Sequence, residues 1–180
     1  MLHQFDLFPV LHTDRLDLVE ITPAHATDLF AIFTDKRVTE YYTVVPLREE
    51  KDILPVIDRF RSQYCNRQGI RWGIALKGQQ RLIGSIGFQY FTTGHKAGIV
   101  YALSPGYWGQ GYISEALKAV LQFGFDELEI RRIEAEVMPG NTASDKVLMR
   151  NGFQHEGLLR QWLQWNGKYY DMDMYSVLNG

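Results

Sequence analysis

Leu103-Ser-Pro-Gly-Tyr-Trp-Gly-Gln-Gly-Tyr-Ile-Ser-Glu-Ala116 decides how this chain is read. An apolar run, Ile99-Val-Tyr-Ala-Leu103, halts at Ser104-Pro105-Gly106. Apolar residues then recur at helical spacing: Ile113, Ala116, Leu117, Val120, Leu121 and Leu128. A strand, a short loop and a helix follow one another, with Gly109 and Gly111 on the turn. Glycine has no Cβ, so its backbone can approach a ligand closely. The first helical turn leaves N–H groups without partners, and the helix dipole favours negative charge there. These features together make a cradle for a pyrophosphate. A Gly-x-Gly pair alone is weak evidence, because glycines at a helix start also serve as turn chemistry. The stretch is not a P-loop, since no Gly-Lys-Ser/Thr follows. It is not the dinucleotide fingerprint either, because Ser114 stands at the third glycine position.

Composition narrows the classes. The 180 residues suffice for one domain with a full core, read as 1–180. A net charge of −2 gives no reason to expect nucleic-acid binding. The first residues lack the basic segment and long apolar run of a signal peptide or membrane span. A single cysteine, Cys65, excludes an internal disulfide and suits a reducing compartment, the cytoplasm.

Residues 1–10 read as a leader arm. Alternation in Thr13 to Ile21 gives a strand, and Thr22-Pro23 caps a helix over Ala24–Phe33. Val38 to Leu47 reads as an aromatic loop containing Tyr41-Tyr42 and Val44-Val45. Glu49 to Tyr64 reads as a second helix, with Pro55 inside it to kink or shorten it. Strands follow at 70–76, 82–88 and 97–103, with Gly84 and Gly87 marking close approach or a bulge. A helix over 112–128 leads to a strand at 132–138, so the strands at 97–103 and 132–138 are expected to be parallel with a right-handed crossover. Asn141 is the N-cap of a helix through Asn151, and Gly152 its left-handed end, with Phe153 packing back. Asn166-Gly167 turns a final hairpin between strands at 158–165 and 168–178.

With that element order in place, the chain resembles the GNAT acetyltransferase superfamily over about Thr13 to Val177. It is most similar to the branch that includes ribosomal-protein N-terminal acetyltransferases. The matching pieces are Thr13-Asp-Arg-Leu16, the stretch 103–116, and Asn141-Thr-Ala-Ser144 leading to Asn151-Gly-Phe-Gln-His-Glu-Gly157. The resemblance implies an α/β (α+β) GNAT fold: a mixed, mostly antiparallel central sheet with two splayed parallel strands, flanked by about four helices. It implies acetyl-CoA as acetyl donor and no metal. The pantetheine arm would add to the strand at Tyr101, Ala102 and Leu103. The pyrophosphate would lie on backbone N–H groups of Trp108, Gly109, Gln110, Gly111, Tyr112 and Ile113. The family's motif often begins with Gln or Arg and ends with Gly or Ala, where this chain has Trp108 and Ile113. A narrower turn is therefore expected at Ile113, with its backbone donor kept.

Acetyl transfer to an amine requires loss of a proton from nitrogen, a leaving thiolate and alignment. An α-amine titrates near pH 7.7–8.0 and a lysine near about 10.4, so a base matters more for lysine. Alignment alone supplies roughly 7–11 kcal/mol. Glu136 is the candidate base, through a water, since family members place a glutamate there. The alternative is that Glu134 and Glu136 are only the solvated face of an edge-like strand, a reading that suits Glu134 more than Glu136. Ser144 is the candidate acid toward sulfur, because Leu148 stands where many relatives carry a tyrosine. Its alternative role is to cap the helix. Asn141 is expected to cap and to touch the pantetheine amide. Cys65 lacks a nearby histidine and is a poor nucleophile. His3, His12, His25, His95 and His155 show no metal-ligand spacing. His155 could serve as a second base but reads as a surface residue. Tyr41, Tyr42, Trp162 and Trp165 are candidates for the acceptor wall, or simply core.

The expected activity is acetyl transfer from acetyl-CoA to a primary amine by direct attack in a ternary complex. The branch favours a protein or peptide N-terminal α-amine. Amino acids, polyamines and aminoglycoside-like compounds remain open, as do a non-catalytic acyl-CoA sensor and a partner-binding domain with an empty cleft. A monomer or a homodimer is expected, the latter through the final hairpin and the aromatic loop.

Overall fold

The structure is a computed structural model that describes residues 7–43 and 46–180. His3, Val44 and Val45 lie outside the described residues, as does most of the expected leader arm. The strands are β1 (Leu11–His12), β2 (Leu16–Glu20), β3 (Ile70–Leu76), β4 (Leu82–Thr92), β5 (Lys96–Leu103), β6 (Arg132–Val137), β7 (Gln154–Trp165) and β8 (Lys168–Leu178). They form one eight-stranded sheet in the order β1-β2-β3-β4-β5-β6-β8-β7. Every neighbouring pair is antiparallel except β5 and β6. The helices are α1 (Ala26–Thr34), α2 (Lys36–Thr39), α3 (Leu54–Cys65), α4 (Tyr112–Asp126) and α5 (Thr142–Arg150). This is the mixed sheet with one parallel pair that the sequence suggested.

Several local expectations change. α1 is preceded by a 3-10 turn, Pro23–His25, in which the Thr22 N–H donates to His25 Nδ1 at 3.0 Å. α2 occupies the start of the expected aromatic loop, because Asp35 caps it by accepting from the Arg37 N–H at 2.9 Å. Of the two expectations for Pro55, the helix is shortened rather than kinked. A 3-10 turn covers Glu50–Ile53, and Pro55 lies in the first turn of α3, where its missing N–H has no carbonyl to serve. β7 begins at Gln154 rather than at 158. Gly152 ends α5 at φ 87°, and the Phe153 N–H returns to the Leu148 carbonyl at 3.1 Å.

The two faces of the sheet carry two cores. One gathers α4, α5 and the side chains of Ile70, Trp72, Ile86 and Phe88. Trp72 is fully buried there, 5.4 Å from the Phe123 ring, and its indole N–H donates to the Pro9 carbonyl at 2.6 Å. The other gathers α1, α3 and Ile21, Ala75, Leu82 and Ala102. Alternation along each strand assigns these faces. Gly87 permits close strand approach, since a Cβ would meet the Ile70 carbonyl at 2.0 Å.

β5 and β6 share only three rungs: Lys96 with Arg132, Ala97 with Ile133, and Gly98 with Glu134. A polar cluster marks the last rung. The Tyr90 hydroxyl donates to Glu134 at 2.8 Å, Lys96 Nζ lies 3.3 Å from the same oxygen, and Arg132 Nε donates to Glu134 at 2.7 Å. Arg132 continues to Glu156 at 2.7 Å, and the Ser176 hydroxyl donates to Glu156 at 2.6 Å. Gly98 makes room for this arrangement, because a Cβ there would meet the Tyr90 ring at 2.4 Å. Glu134 is therefore buried and paired, and the solvated face expected for it is not observed.

The Arg132 guanidinium, aided by Ser176, draws the Glu156 carboxyl down to about 2. Its contribution to stability is complete above the ordinary glutamate range near about 4.3 and is lost as pH falls through about 2. The expected outcome is that Glu156→Gln lowers Tm at pH 7, and that the difference from wild type shrinks as pH drops from 5 toward about 2, read by thermal melts across pH.

Candidate active site

Beyond the Gly98–Glu134 rung, β5 runs on to Leu103 and β6 to Val137 without pairing to each other. A cleft of about 940 Å3 opens where they part. The Ser104 N–H bonds the Ile83 carbonyl at 2.8 Å on β4. The antiparallel ladder alternates, so the backbone groups of Tyr101 and Leu103 turn the other way, into the gap. The Leu103 carbonyl is already taken by the Trp108 indole N–H at 2.7 Å. The Leu103 N–H and both backbone groups of Tyr101 remain directed at the gap.

At its end the cleft meets the turn into α4. Gly109 and Gly111 have φ of 74° and 81°, a left-handed conformation that side chains resist; a Cβ would meet nothing within 4 Å at Gly109 and Arg15 Nη2 at 3.6 Å at Gly111. The Trp108 N–H is used locally, donating to the Pro105 carbonyl at 3.2 Å, so the donor set begins one residue later than expected. Tyr112, Ile113 and Ser114 open α4 and have no carbonyl one turn back; the first satisfied N–H is that of Glu115, to Gly111 at 3.0 Å. The Ile113 side chain is buried in the α4-side core, so it does not narrow the turn.

A clamp that the sequence did not disclose fixes this turn. Glu115 accepts from the Thr13 hydroxyl at 2.6 Å, the Arg15 N–H at 2.9 Å and Arg15 Nε at 2.7 Å. Arg15 Nη1 also donates to the Gln110 carbonyl at 3.1 Å, and its guanidinium lies 4.5 Å over the Tyr112 ring. Burial would raise the Glu115 carboxyl, but the hydrogen bonds from Thr13 and Arg15 outweigh it and hold it below the usual range. The available sequence signal was the Thr13-Asp-Arg-Leu16 match, whose partner lies 100 residues away.

Glu136 is half-buried and lines the cleft. Ala135 and Val137 belong to the α4-side core, so Glu136 sits on the opposite face. Ser144 lines the cleft from α5, and its hydroxyl lies 2.6 Å from the Tyr101 hydroxyl. Burial pushes the Tyr101 phenol up to about 12, although the Ser144 contact opposes this. Asn141 Oδ1 accepts from the Ser144 N–H at 3.2 Å, the cap its position suggested. Leu148 is fully buried in the core.

Tyr41, Tyr42 and Trp165 border the cleft, but Trp162 does not: it is 55% exposed on β7. Cys65 is exposed at the end of α3, away from the cleft. His155 lies on the hairpin, 2.7 Å from Asp173. No metal-binding group of side chains occurs among the described residues. No described helix is long and apolar enough to cross a membrane.

Open donors at a helix start and an unpaired strand edge on one cleft suit a diphosphate joined to an amide-bearing arm, which is the shape of a coenzyme A thioester. A family model described as Acetyltransferase (GNAT) domain matches residues 15–154, and the chain belongs to that family. It is an acetyl-CoA-dependent N-acetyltransferase. It is 39% identical over 173 residues to the uncharacterized N-acetyltransferase YoaA of Bacillus subtilis, covering 96% of this chain and 98% of that one. It is 36% identical to the ribosomal-protein-serine acetyltransferase of Escherichia coli over 99 residues, 54% of this chain and 55% of that one. Its fold matches RimL, a ribosomal L7/L12 alpha-N-protein acetyltransferase in complex with coenzyme A, with a TM-score of 0.83 and 22% identity, covering 94% of this chain and 98% of that one.

Gly111→Ala tests the turn. A side chain in the left-handed region costs about 1–2 kcal/mol, so the backbone donors should shift and CoA affinity fall about tenfold, measured by calorimetry. Unchanged affinity would remove this turn from the binding site.

Proposed function

We propose that the enzyme acetylates the N-terminal α-amine of a protein or peptide, by direct attack within a ternary complex. The observation that carries the mechanism is the placement of two groups on one cleft from opposite sides of the divided sheet: Glu136 on the α1–α3 face and the Ser144 hydroxyl on the α4–α5 face. The α-amine preference rests on the branch similarity, which includes the ribosomal-protein-serine acetyltransferase of Escherichia coli.

The donor arm lies along Tyr101, Ala102 and Leu103, and its pyrophosphate on Gly109, Gln110, Gly111, Tyr112 and Ile113, with Trp108 shaping the turn through its indole bond. Asn141 faces the arm while capping α5. Acetyl-CoA, when bound, supplies an activated acyl carbon at the fork. Glu136 takes a proton from the amine nitrogen through an intervening water as the C–N bond forms. The C–S bond breaks, and sulfur departs as a thiolate hydrogen-bonded by Ser144, to be protonated on release. That bond requires the Ser144 proton to face sulfur, so Ser144 must accept from Tyr101. Tyr101 stays protonated throughout the working pH range because burial raises it, and it is thus a steady donor to Ser144. Tyr101 is in this respect a positioning residue.

The enzyme is read as cytoplasmic and as a monomer or homodimer. The exposed Leu158, Trp162 and Tyr169 of the hairpin form the face a second copy would cover.

The test is thiol release with acetyl-CoA and a panel of peptides, amino acids, polyamines and aminoglycosides. Glu136→Gln should lower kcat about 100-fold or more at pH 7, with KM for acetyl-CoA little changed, and the deficit should narrow as pH rises and the amine deprotonates itself. Ser144→Ala and Tyr101→Phe should each lower kcat by less, and the double variant should be no worse than the worse single one. Full activity in Glu136→Gln would remove the base, and additive losses would separate the hydroxyl pair.

A further inference from the structure

Arg71 is a buried cation with no carboxylate paired to it among the described residues. It stands on β3 opposite Gly87 and faces the α1–α3 side, while its neighbours Ile70 and Trp72 enter the other core. It is only 8% exposed. Nη1 donates to the Val100 carbonyl at 3.2 Å, and the guanidinium lies 5.2 Å over the Phe60 ring. Among the described residues no Asp or Glu forms an ion pair with it. Glu20 borders the small cavity beside it without pairing. A guanidinium carries five N–H donors in a fork matched to a carboxylate, and one hydrogen bond leaves most of them unused. A buried charge left in that condition is unfavourable unless a partner arrives.

The cleft gives a partner access, since Arg71 borders it together with Arg59, Gln63, Gln89 and Glu136. Arg37 also reaches the cleft but is already held by Asp35 at 2.6 Å. Arg71 and Glu136 occupy the same face of the sheet, so an acceptor whose nitrogen meets Glu136 has Arg71 on its own side. The phosphate donors lie at the other end, at the start of α4.

We propose that Arg71 receives a carboxylate carried by the acceptor, so that the enzyme selects amines bearing an acidic group. The inference rests on the reading that this cleft takes the amine beside Glu136. The carboxylate has two possible sources: an Asp or Glu side chain near the N-terminus of a peptide, or the α-carboxylate of a free amino acid.

Two matched acceptor pairs distinguish them in the wild-type enzyme. One compares a Ser-Glu peptide with its Ser-Gln counterpart, and the other a free amino acid with its amide, each by kcat/KM from thiol release. The acidic member of one pair should be preferred about tenfold or more, as expected for a hydrogen-bonded charge. In Arg71→Gln, and in Arg71→Lys, that preference should collapse toward unity, with KM for acetyl-CoA little altered. The wild-type comparison stands even if a variant fails to fold. Equal rates within both pairs, while thiol is released, would overturn this proposal and leave the amine reading intact. So would a rise in KM for acetyl-CoA in the Arg71 variants at unchanged acceptor preference. Absence of thiol release with every amine would overturn both.

Discussion

The structure depends on a parallel pairing that stops early. Two strands joined over three rungs and then released give an unpaired edge inside a protein, which is ordinarily unfavourable because backbone N–H and C=O groups require partners. Here the edge is kept available and its vertex is held by charge. Glu134 sits between Tyr90, Lys96 and Arg132, and Arg132 carries the network to Glu156 on β7. Burial would raise the Glu134 carboxyl, but these three donors outweigh it and keep it ionised below the usual range. The cluster thus ties β4, β5, β6, β7 and β8 together at the point where the sheet divides.

From that vertex the chemistry separates by face. Strand alternation sends Glu136 and Arg71 to the α1–α3 side, and Tyr101 to the α4–α5 side, where it meets Ser144. In the proposed mechanism this separation leaves nucleophile and leaving group to different residues. The turn into α4 is held at a distance by Glu115, Thr13 and Arg15, so its free N–H groups are presented in a fixed geometry rather than ordered on binding.

Features of short sequence range were legible before the fold was known. Alternation gave most strands, helical spacing gave α4, and Asn141 and Gly152 marked both ends of α5. Gly109 and Gly111 marked the turn, since glycine adopts without cost the left-handed backbone found there. What escaped depends on distant partners. Glu134 looked solvated because its three donors come from β4, β5 and its own strand, and a single strand pattern does not disclose burial from above. Tyr101 was read only as strand backbone; its hydroxyl acquires meaning from Ser144, 43 positions later. Arg71 lies within an alternating apolar strand and gave no sign of being a buried cation. The start of α3 was set too early because the 3-10 turn before it is close to helix in local pattern, and Trp162 was misplaced because β7 is irregular between Leu159 and Leu163.

If the gap between β5 and β6 is the coenzyme slot, bound CoA covers the backbone groups that Tyr101 and Leu103 turn toward it. Amide hydrogen exchange of those two N–H groups, followed by NMR with and without saturating CoA, tests it most directly. Both amides should exchange markedly more slowly with CoA bound, while amides on β2 stay unchanged. CoA bound tightly with no slowing at Tyr101 and Leu103 would contradict it.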